Sequence, residues 1–269
     1  INIIDPISLI DGDGESDIFR SIIGVLLIGF LLALSAVFLI EFLPDKISDE
    51  QSAKRIVKND VPVLSTIPKN SKEFLIEHEY GKMDSYKHIA GILQHIGNQD
   101  VFTFIGLGYE GESIYSVMNI ALTLLRCGKK VLILITYAGV SDSKILNQDT
   151  FSKSINTSVL DLEKPVIVNN ELDKLQIITF PKQYEDTSAI LHNELFVNFI
   201  KTASTEFDFI LIDGPDYNDT PNFLAVAKIT HGVIINIKAG CASKKELKSM
   251  KNTLGLCDIP IIGMVFTYE

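Results

Sequence analysis

From residue 101 onward, the chain alternates between mostly apolar runs and stretches with apolar residues at helical spacing. Runs that are apolar at every position predict strands buried on both faces, as in a parallel sheet covered by helices. The predicted strands are Val101 to Gly106, Val131 to Ile135, Leu175 to Phe180, Phe209 to Ile212, Gly232 to Ile237 and Ile259 to Phe266. The predicted helices are Ser113 to Cys127, Ser188 to Ser204, Asn222 to Lys228 and Lys244 to Leu254. The pattern predicts an α/β fold with a mostly parallel sheet and helices on both faces.

A different pattern precedes this region. Ser21 to Ile40 is a charge-free run of twenty residues between Arg20 and Glu41. At about 1.5 Å per residue, such a helix spans the roughly 30 Å hydrocarbon core of a bilayer. A signal peptide is the competing interpretation, but it needs a basic leader, whereas this leader is acidic. We predict a transmembrane helix.

Basic residues set the expected orientation. Lys46, Lys54, Arg55 and Lys58 follow the apolar run, against Arg20 before it, so the C-terminal part is expected in the cytoplasm. The expected divisions are an extracytoplasmic end (1–17), the transmembrane helix (18–43), a juxtamembrane linker and helix (44–100) and the α/β domain (101–269). Because the sequence begins without Met, we expect a further extracytoplasmic domain before it.

Composition excludes several classes of function. The net charge of −10 argues against a nucleic-acid-binding surface. The three cysteines have no zinc-site spacing, and the five histidines form no metal-binding pattern. We therefore expect no metal site and no nucleic-acid partner.

The segment after the first predicted strand has the position of a phosphate-binding loop. Such loops use glycines to bring backbone N–H groups around the phosphates and a lysine to reach the β and γ oxygens. Gly108 and Gly111 are present, but Glu110 and Glu112 stand where a cation is needed. One charge pair at about 4 Å contributes roughly 4 kcal/mol at an effective dielectric near 20, so we expect ATP affinity to be millimolar or weaker. Without further context, a simple glycine-containing turn that never bound phosphate is an equal interpretation.

A second signal comes from the strand that ends at Asp213. Four apolar residues followed by a carboxylate form a Walker B pattern, in which the carboxylate orients Mg²⁺ or its water. The pattern alone is weak, because buried parallel strands often end in Asp. Its combination with an upstream glycine loop and with Gly214-Pro215 favours descent from P-loop NTPases.

These motifs together resemble the cytoplasmic half of the bacterial tyrosine autokinases that are fused to, or partnered with, polysaccharide co-polymerases. The resemblance covers nearly the whole chain and follows a fixed order of segments. These are a last membrane helix, Pro62-Val-Leu-Ser-Thr-Ile-Pro68, the glycine loop, Asn119-Ile-Ala-Leu, Gly128-Lys-Lys-Val-Leu-Ile-Leu, Phe207 to Pro215, His231 to Gly240 and Ile259 to Phe266. The resemblance implies a P-loop NTPase-like fold. It also implies that the protein is located at the plasma (inner) membrane.

The departures from that family fall on the chemistry. Counting from Asn119, the family's lysine position is Ser113, or Glu112 if one residue is inserted. The two aspartates that follow the family's next strand correspond to Ile135 and Tyr137. The resemblance therefore implies a vestigial nucleotide site at Gly108, Gly111, Glu112, Ser113 and Asp213, with no cofactor expected.

The family's subunit-contact and substrate features are also reduced. The contact motif corresponds to Asp84, Lys87 and Ala90, which keeps two charges and loses the third. The C-terminal tyrosine cluster is reduced to Tyr268. The resemblance implies a homo-oligomer with oligomer contacts at Asp84 and Lys87, and docking to a polysaccharide polymerase, exporter or glycosyltransferase.

Three functional hypotheses follow. The leading one is a membrane component of exopolysaccharide or capsule synthesis and export, in chain-length control or as a scaffold, with a catalytically silent kinase-like domain. The first alternative is an active ATP-dependent tyrosine autokinase that uses Asp213 with Lys129 or Lys144 as an unusual cation. The second is a membrane-bound relative of the partitioning and cell-division ATPases.

Overall fold

The computed structural model describes residues 14–42, 45–58, 60–67, 80–96, 100–108, 113–136, 156–159, 174–180 and 187–268. The chain divides into two compact units, Ile1–Pro44 and Asp45–Glu269. The predicted extracytoplasmic end (1–17) therefore lies largely outside the described residues.

The first unit contains one long helix, α1 (Gly14–Phe42). Its segment Phe19–Phe38 has a mean hydropathy of 2.6, and none of it is buried within the protein. Among the described residues, α1 is the helix that is long and apolar enough to cross a membrane. Its bounds extend beyond the predicted apolar run at both ends.

The second unit is built on one sheet of eight parallel strands, in the order β1-β8-β7-β2-β6-β3-β5-β4. The predicted parallel sheet is confirmed. The strands are β1 (Val63–Ile67), β2 (Val101–Leu107), β3 (Val131–Ile135), β4 (Asn156–Val159), β5 (Leu175–Thr179), β6 (Phe209–Asp213), β7 (Gly232–Lys238) and β8 (Ile261–Thr267).

Helices cover both faces of the sheet. They are α2 (Glu50–Ile56), α3 (Tyr80–His95), α4 (Ser113–Arg126), α5 (Ser188–Leu191), α6 (Glu194–Glu206), α7 (Thr220–Ala227) and α8 (Lys244–Leu256). Successive strand side chains point to opposite faces, so Phe104 packs with α3 and α4, whereas Ile105 packs with α2, α7 and α8. A third cluster places α5 and α6 against β3 and β6.

One predicted helix is divided in two. The sequence predicts a single helix from Ser188 to Ser204, but α5 ends at Leu191 and α6 begins at Glu194. Asn193 has an extended backbone, and its side chain accepts a hydrogen bond from Leu195 N at 2.9 Å. An asparagine that caps a new helix in this way ends the previous one, and the continuous apolar spacing conceals the break.

The segment that we predict as a juxtamembrane linker and helix (44–100) is largely built into the second unit. Val63 to Ile67 form the edge strand β1, which pairs with β8. Ala53 and Val57, in and directly after α2, are fully buried against the α8 side of the core. No compact-unit boundary falls at residue 100, because this segment supplies apolar surface that the sheet needs at its edge.

Candidate functional site

The predicted glycine loop and the predicted Asp lie at the same edge of the sheet. β2 and β6 are parallel neighbours, with Phe104 opposite Asp213. Parallel strands of an α/β sheet present their carboxyl ends, and the helices that follow them, to a common ligand edge. Gly108 follows β2, and α4 begins at Ser113.

Ser113 and Asp213 are in direct contact. The Ser113 hydroxyl donates to Asp213 Oδ1 at 2.7 Å. Asp213 is fully buried, and Ser113 is 6% exposed. In P-loop NTPases, the loop Ser/Thr and the Walker B Asp are the two groups that hold Mg²⁺. The side chains at the two corresponding positions of this chain are therefore in contact with each other.

This contact helps to decide whether Ser113 or Glu112 occupies the lysine position of the loop motif, a choice that the sequence left open. If Ser113 is the loop Ser/Thr, the chain from Gly106 to Ser113 fits the spacing G-x-x-x-x-G-K-[ST], with Glu112 at the lysine position. The geometry favours this register over the one that places the lysine position at Ser113. Gly111 and Glu112 themselves lie outside the described residues, so their assignment rests on the sequence.

The backbone around Asp213 is fixed by its neighbours. Its carbonyl accepts hydrogen bonds from Thr136 N at 3.2 Å and from Thr136 Oγ1 at 2.9 Å. Gly214 N donates to Phe104 O at 2.9 Å. A Cβ at Gly214 would lie 2.5 Å from Ile105 Cδ1 and 3.1 Å from Phe104 O, so a larger residue here would force the buried Ile105 side chain to move. The carboxylate is held in place by the sheet itself.

Gly108 brings the loop against the turn between β7 and α8. Its φ is +75°, and a Cβ there would lie 2.4 Å from Ala242 N. Both the left-handed backbone and the close approach require glycine. The predicted role of Gly108 as a loop glycine is consistent with this placement.

The end of β3 carries no carboxylate. Ile135 is fully buried in the core between the sheet and α3 and α4, and Thr136 follows it. Tyr137 lies outside the described residues. At the point where the resembling family places an aspartate, this chain has an apolar side chain that packs inward.

A cleft of about 620 Å³ opens beside Gly108. It is lined by two lysines, Lys46 and Lys238, that the sequence did not indicate as residues of this site. Lys46 Nζ donates to Cys241 O at 2.7 Å. Lys46 lies far from the loop in sequence and reaches the cleft only through tertiary packing. Lys238 is the last residue of β7, so its place at the carboxyl edge of the sheet could have been predicted from the sequence. The cleft is lined by Lys46, Gly106, Leu107, Gly108, Asp216, Tyr217, Asn218, Lys238, Gly240, Cys241 and Glu246.

The structure excludes one of the two proposed substitute cations. Lys129 precedes β3, and its Nζ lies 4.0 Å from Asp208, which precedes β6. Both residues are at the amino ends of their strands, on the opposite edge of the sheet from Asp213. The prediction for Lys129 is therefore wrong. Lys144 lies outside the described residues.

The predicted oligomer contacts are on the surface of α3. Lys87 Nζ and Asp84 Oδ1 form an ion pair of 3.2 Å, with side chains 52% and 74% exposed, respectively. Ala90, at the third motif position, is 1% exposed and packs in the core. The charged pair can therefore contact another molecule, whereas the third position cannot.

Tyr86, on the same helix, points inward and is 1% exposed. Burial raises the pKa of Tyr86 to about 12, against the hydrogen-bonding effect of Asn119 and Ser116 on the neighbouring α4. Its role is packing between α3 and α4.

In the described part of the chain, no group of three or more His, Cys, Asp or Glu side chains lies close enough together to hold a metal ion. The three cysteines are free thiols.

The fold and the loop define a class of protein. An eight-stranded parallel sheet, a glycine loop between β2 and α4, and a Ser/Asp pair at the carboxyl edge are the features of a P-loop NTPase-like domain.

Comparison with known proteins narrows this class. The chain is 25% identical over 170 residues to CapB of Staphylococcus aureus, described as a tyrosine-protein kinase, and the match covers 58% of this chain and 68% of CapB. No protein-family model matches. The chain is thus a relative of the bacterial tyrosine kinases with a P-loop fold.

Solved structures agree on the fold. The chimerical protein CapA2B2 superimposes with a TM-score of 0.60 at 20% identity, over 81% of this chain and 98% of that structure. The kinase domain of the Escherichia coli tyrosine kinase ETK gives a TM-score of 0.62 at 14% identity, over 79% and 92%. The BceF tyrosine kinase domain gives 0.61 at 14% identity, over 82% and 98%.

Proposed function

We propose that this protein is a membrane-anchored component of exopolysaccharide or capsule synthesis and export, whose kinase-like domain does not transfer phosphate. It acts in chain-length control or as a scaffold. One observation carries the proposal. Ser113 and Asp213 keep the metal-facing contact of a P-loop domain, while the residue before Ser113 is Glu112 instead of lysine.

Charge explains why this difference matters. Phosphoryl transfer depends on positioning and on neutralisation of the phosphate charge. A carboxylate at the lysine position repels the β and γ phosphates, and Ile135 removes a second expected carboxylate from the metal side. The remaining Asp213 can orient a cation but cannot by itself attract a polyphosphate. We therefore expect the domain to hold no cofactor.

The proposed assembly is a homo-oligomer that contacts neighbours through the membrane and cytoplasmic parts. The exposed Asp84 and Lys87 pair on α3 supports such a contact. The proposed partners are a polysaccharide polymerase, an exporter or a glycosyltransferase, and the proposed location is the plasma (inner) membrane with the α/β unit in the cytoplasm.

The test is titration of the full chain in detergent with MgATP by calorimetry, alongside the variant Glu112→Lys. The natural chain should give no binding heat at millimolar MgATP. Glu112→Lys completes the loop motif and should bind. Since one charge pair contributes roughly 4 kcal/mol, the gain in affinity can approach about a thousandfold.

Glu206→Lys is the matched control, because it makes the same charge change near the amino edge of the sheet, at the end of α6. It should leave the absence of binding unchanged. Tight MgATP binding by the natural chain would overturn the proposal, as would phosphotyrosine that accumulates in the natural chain and is lost in Asp213→Ala.

An active tyrosine autokinase remains the alternative, and Lys46 and Lys238 in the cleft beside Gly108 are the observation that favours it. Under this alternative, Lys238→Ala should abolish MgATP-dependent autophosphorylation of the natural chain. Mass spectrometry for phosphotyrosine after incubation with MgATP distinguishes the two functions.

A further inference from the structure

Helix α8 carries a concentration of positive charge in an acidic protein. It contains four lysines and one glutamate, whereas the chain has a net charge of −10. Leu247, Met250 and Leu254 face the core, so the 3.6-residue period turns Lys245 and Lys248 outward, and both are exposed.

Helix α2 extends this charge. It packs beside α8, where Lys251 Nζ donates to Val57 O and to Asp60 Oδ2, both at 2.6 Å. Arg55 and Lys58 are exposed, and the Lys54 side chain is 43% exposed while it pairs with Glu50 at 3.8 Å. We call the surface formed by Lys54, Arg55, Lys58, Lys245 and Lys248 the α2–α8 basic face.

An exposed apolar side chain lies at the end of this face. Leu256, the last residue of α8, is 87% exposed. In the described part of the chain outside α1, Leu195 is the other large apolar residue with high exposure, at 47%. An exposed leucine on a helix that also carries exposed lysines matches the composition of surfaces that lie in a membrane interface.

The start of α8 contacts a residue that follows α1 closely in the sequence. α1 ends at Phe42, and Asp45 follows three residues later, a distance of at most about 11 Å along an extended chain. Within the second unit, Lys244 N donates to Asp45 O, and Ser243 Oγ donates to Asp45 Oδ2, both at 2.7 Å. The first turn of α8 is therefore bonded to a residue three positions after the end of α1 in the sequence.

We propose that the α2–α8 basic face binds anionic lipid headgroups of the membrane that α1 crosses, with Leu256 in the interfacial region. Lysine and arginine side chains next to a membrane helix are attracted by anionic lipids within about a Debye length, roughly 8 Å at physiological salt. Because at most about 11 Å of chain separates α1 from Asp45, and Asp45 bonds to the start of α8, the covalent connection allows this face to reach that field. The inference rests on the membrane anchoring in the proposed function but not on its nucleotide chemistry.

The chain contains no tryptophan, so Leu256→Trp introduces a single fluorescent reporter at the proposed contact. The full chain carrying this change is placed in lipid nanodiscs made of phosphatidylcholine alone or mixed with phosphatidylglycerol. With phosphatidylglycerol, emission should shift to the blue, and brominated lipid should quench it. High salt should reverse the shift. Leu195→Trp, on α6, is the matched reporter and should keep the emission of a water-exposed indole in both lipids.

Charge reversal tests the basic face directly. In the Leu256→Trp chain, Lys245→Glu with Lys248→Glu should abolish the shift in anionic discs. Lys201→Glu with Lys228→Glu makes the same change at exposed lysines elsewhere on the unit and should leave the shift intact.

Equal emission of Leu256→Trp in neutral and anionic discs would overturn the inference, as would an equal effect of both charge-reversal pairs. If the basic face docks an acidic protein instead of lipid, the Leu256→Trp chain will show equal emission in neutral and anionic discs. Failure of anchoring is recognised separately, because a chain whose α1 does not insert will not co-elute with the discs at all.

Discussion

Gly108 meets two constraints at once. Its backbone has φ of +75°, and its α-carbon faces Ala242 N so closely that a Cβ would lie 2.4 Å away. A left-handed conformation costs a non-glycine residue on the order of 1–3 kcal/mol. The close approach adds to that cost, because a backbone atom cannot move aside as a flexible side chain can.

We expect Gly108→Ala to destabilise the α/β unit more than Gly128→Ala does. Gly128 has φ of +82° but nothing within 4 Å of its Cβ position, so it isolates the backbone effect. The measurement is urea unfolding followed by circular dichroism. Equal losses at the two positions would show that the turn at Ala242 yields freely, contrary to the tight contact described above.

Tyr86 should make the stability sensitive to alkaline pH. Its pKa in the folded protein is about 12 because of burial, so the unfolded chain releases this proton first as pH rises above about 10. The contribution is fully present below pH 10 and is lost between pH 10 and about 12. At one pKa unit per roughly 1.4 kcal/mol, the loss is about 2–3 kcal/mol.

Replacement of Tyr86 by Phe removes this titration. The difference in unfolding free energy between the natural chain and Tyr86→Phe should be constant from pH 7 to 9 and should then change in favour of the variant. Denaturant unfolding at pH 8 and pH 11 checks this. A difference that does not change with pH would mean that the hydroxyl reaches solvent in the folded state.

At the scale of single residues, what the sequence could predict depended on local information. Local sequence pattern is enough to place Gly108 in a strand-to-helix turn and Asp213 at the end of a strand. The choice between Ser113 and Glu112 for the lysine position did not, because motif counting allows an insertion. A contact across the sheet, from Ser113 to Asp213, was needed. Lys46 was missed for the same reason, since its position depends on tertiary packing.

Among the elements, α8 has the most fully defined start. Ser243 Oγ accepts from Lys245 N and Glu246 N at 3.1 and 3.4 Å, and the Glu246 carboxylate accepts from Ser243 N at 3.4 Å. This capping box is joined to Asp45 by the Ser243 hydroxyl. The same serine therefore begins the helix and anchors the segment that follows α1.

Ser243→Ala should lower the unfolding free energy by more than the roughly 1 kcal/mol usual for an N-cap, because the bond to Asp45 is lost too. Ser243→Thr keeps the hydroxyl and should recover most of the stability. Thermal unfolding of the three proteins checks this. A loss no larger than that of a simple cap would indicate that the Asp45 bond contributes nothing.

Strand and helix types were predictable here because the central strands are buried on both faces and so consist mainly of apolar residues. The boundaries of these elements were less predictable. α5 and α6 appeared as one helix because Asn193, which separates them, interrupts no apolar position. The sequence does not predict β1 as a strand, because Ser65 and Thr66 interrupt its short apolar run. In the structure these two side chains are half-buried, and β1 lies at the edge of the sheet.

Considered as a whole, the α/β unit begins at Asp45. A chain that starts there should show a cooperative thermal transition, whereas one that starts at Asp100 lacks α2, β1 and α3 and should not. The lost burial includes Ile89 and Leu93, and each such side chain contributes about 1.5–3 kcal/mol, a large share of a total stability of about 5–15 kcal/mol. Circular dichroism on heating decides between these outcomes. Matching transitions in both chains would restore a boundary at residue 100.

The pairing of β1 with β8 also has a consequence for synthesis of the protein. Val63 lies beside Met264, so the first of the described strands to be synthesised has its neighbour, among the described strands, in the last of them. While the ribosome is still translating the intervening sequence, the β1 segment has no sheet edge to join. The β1 segment, which follows α1 in the sequence, is consequently paired only after the other described strands have been made, and a chain that stops before Ile261 leaves it without β8.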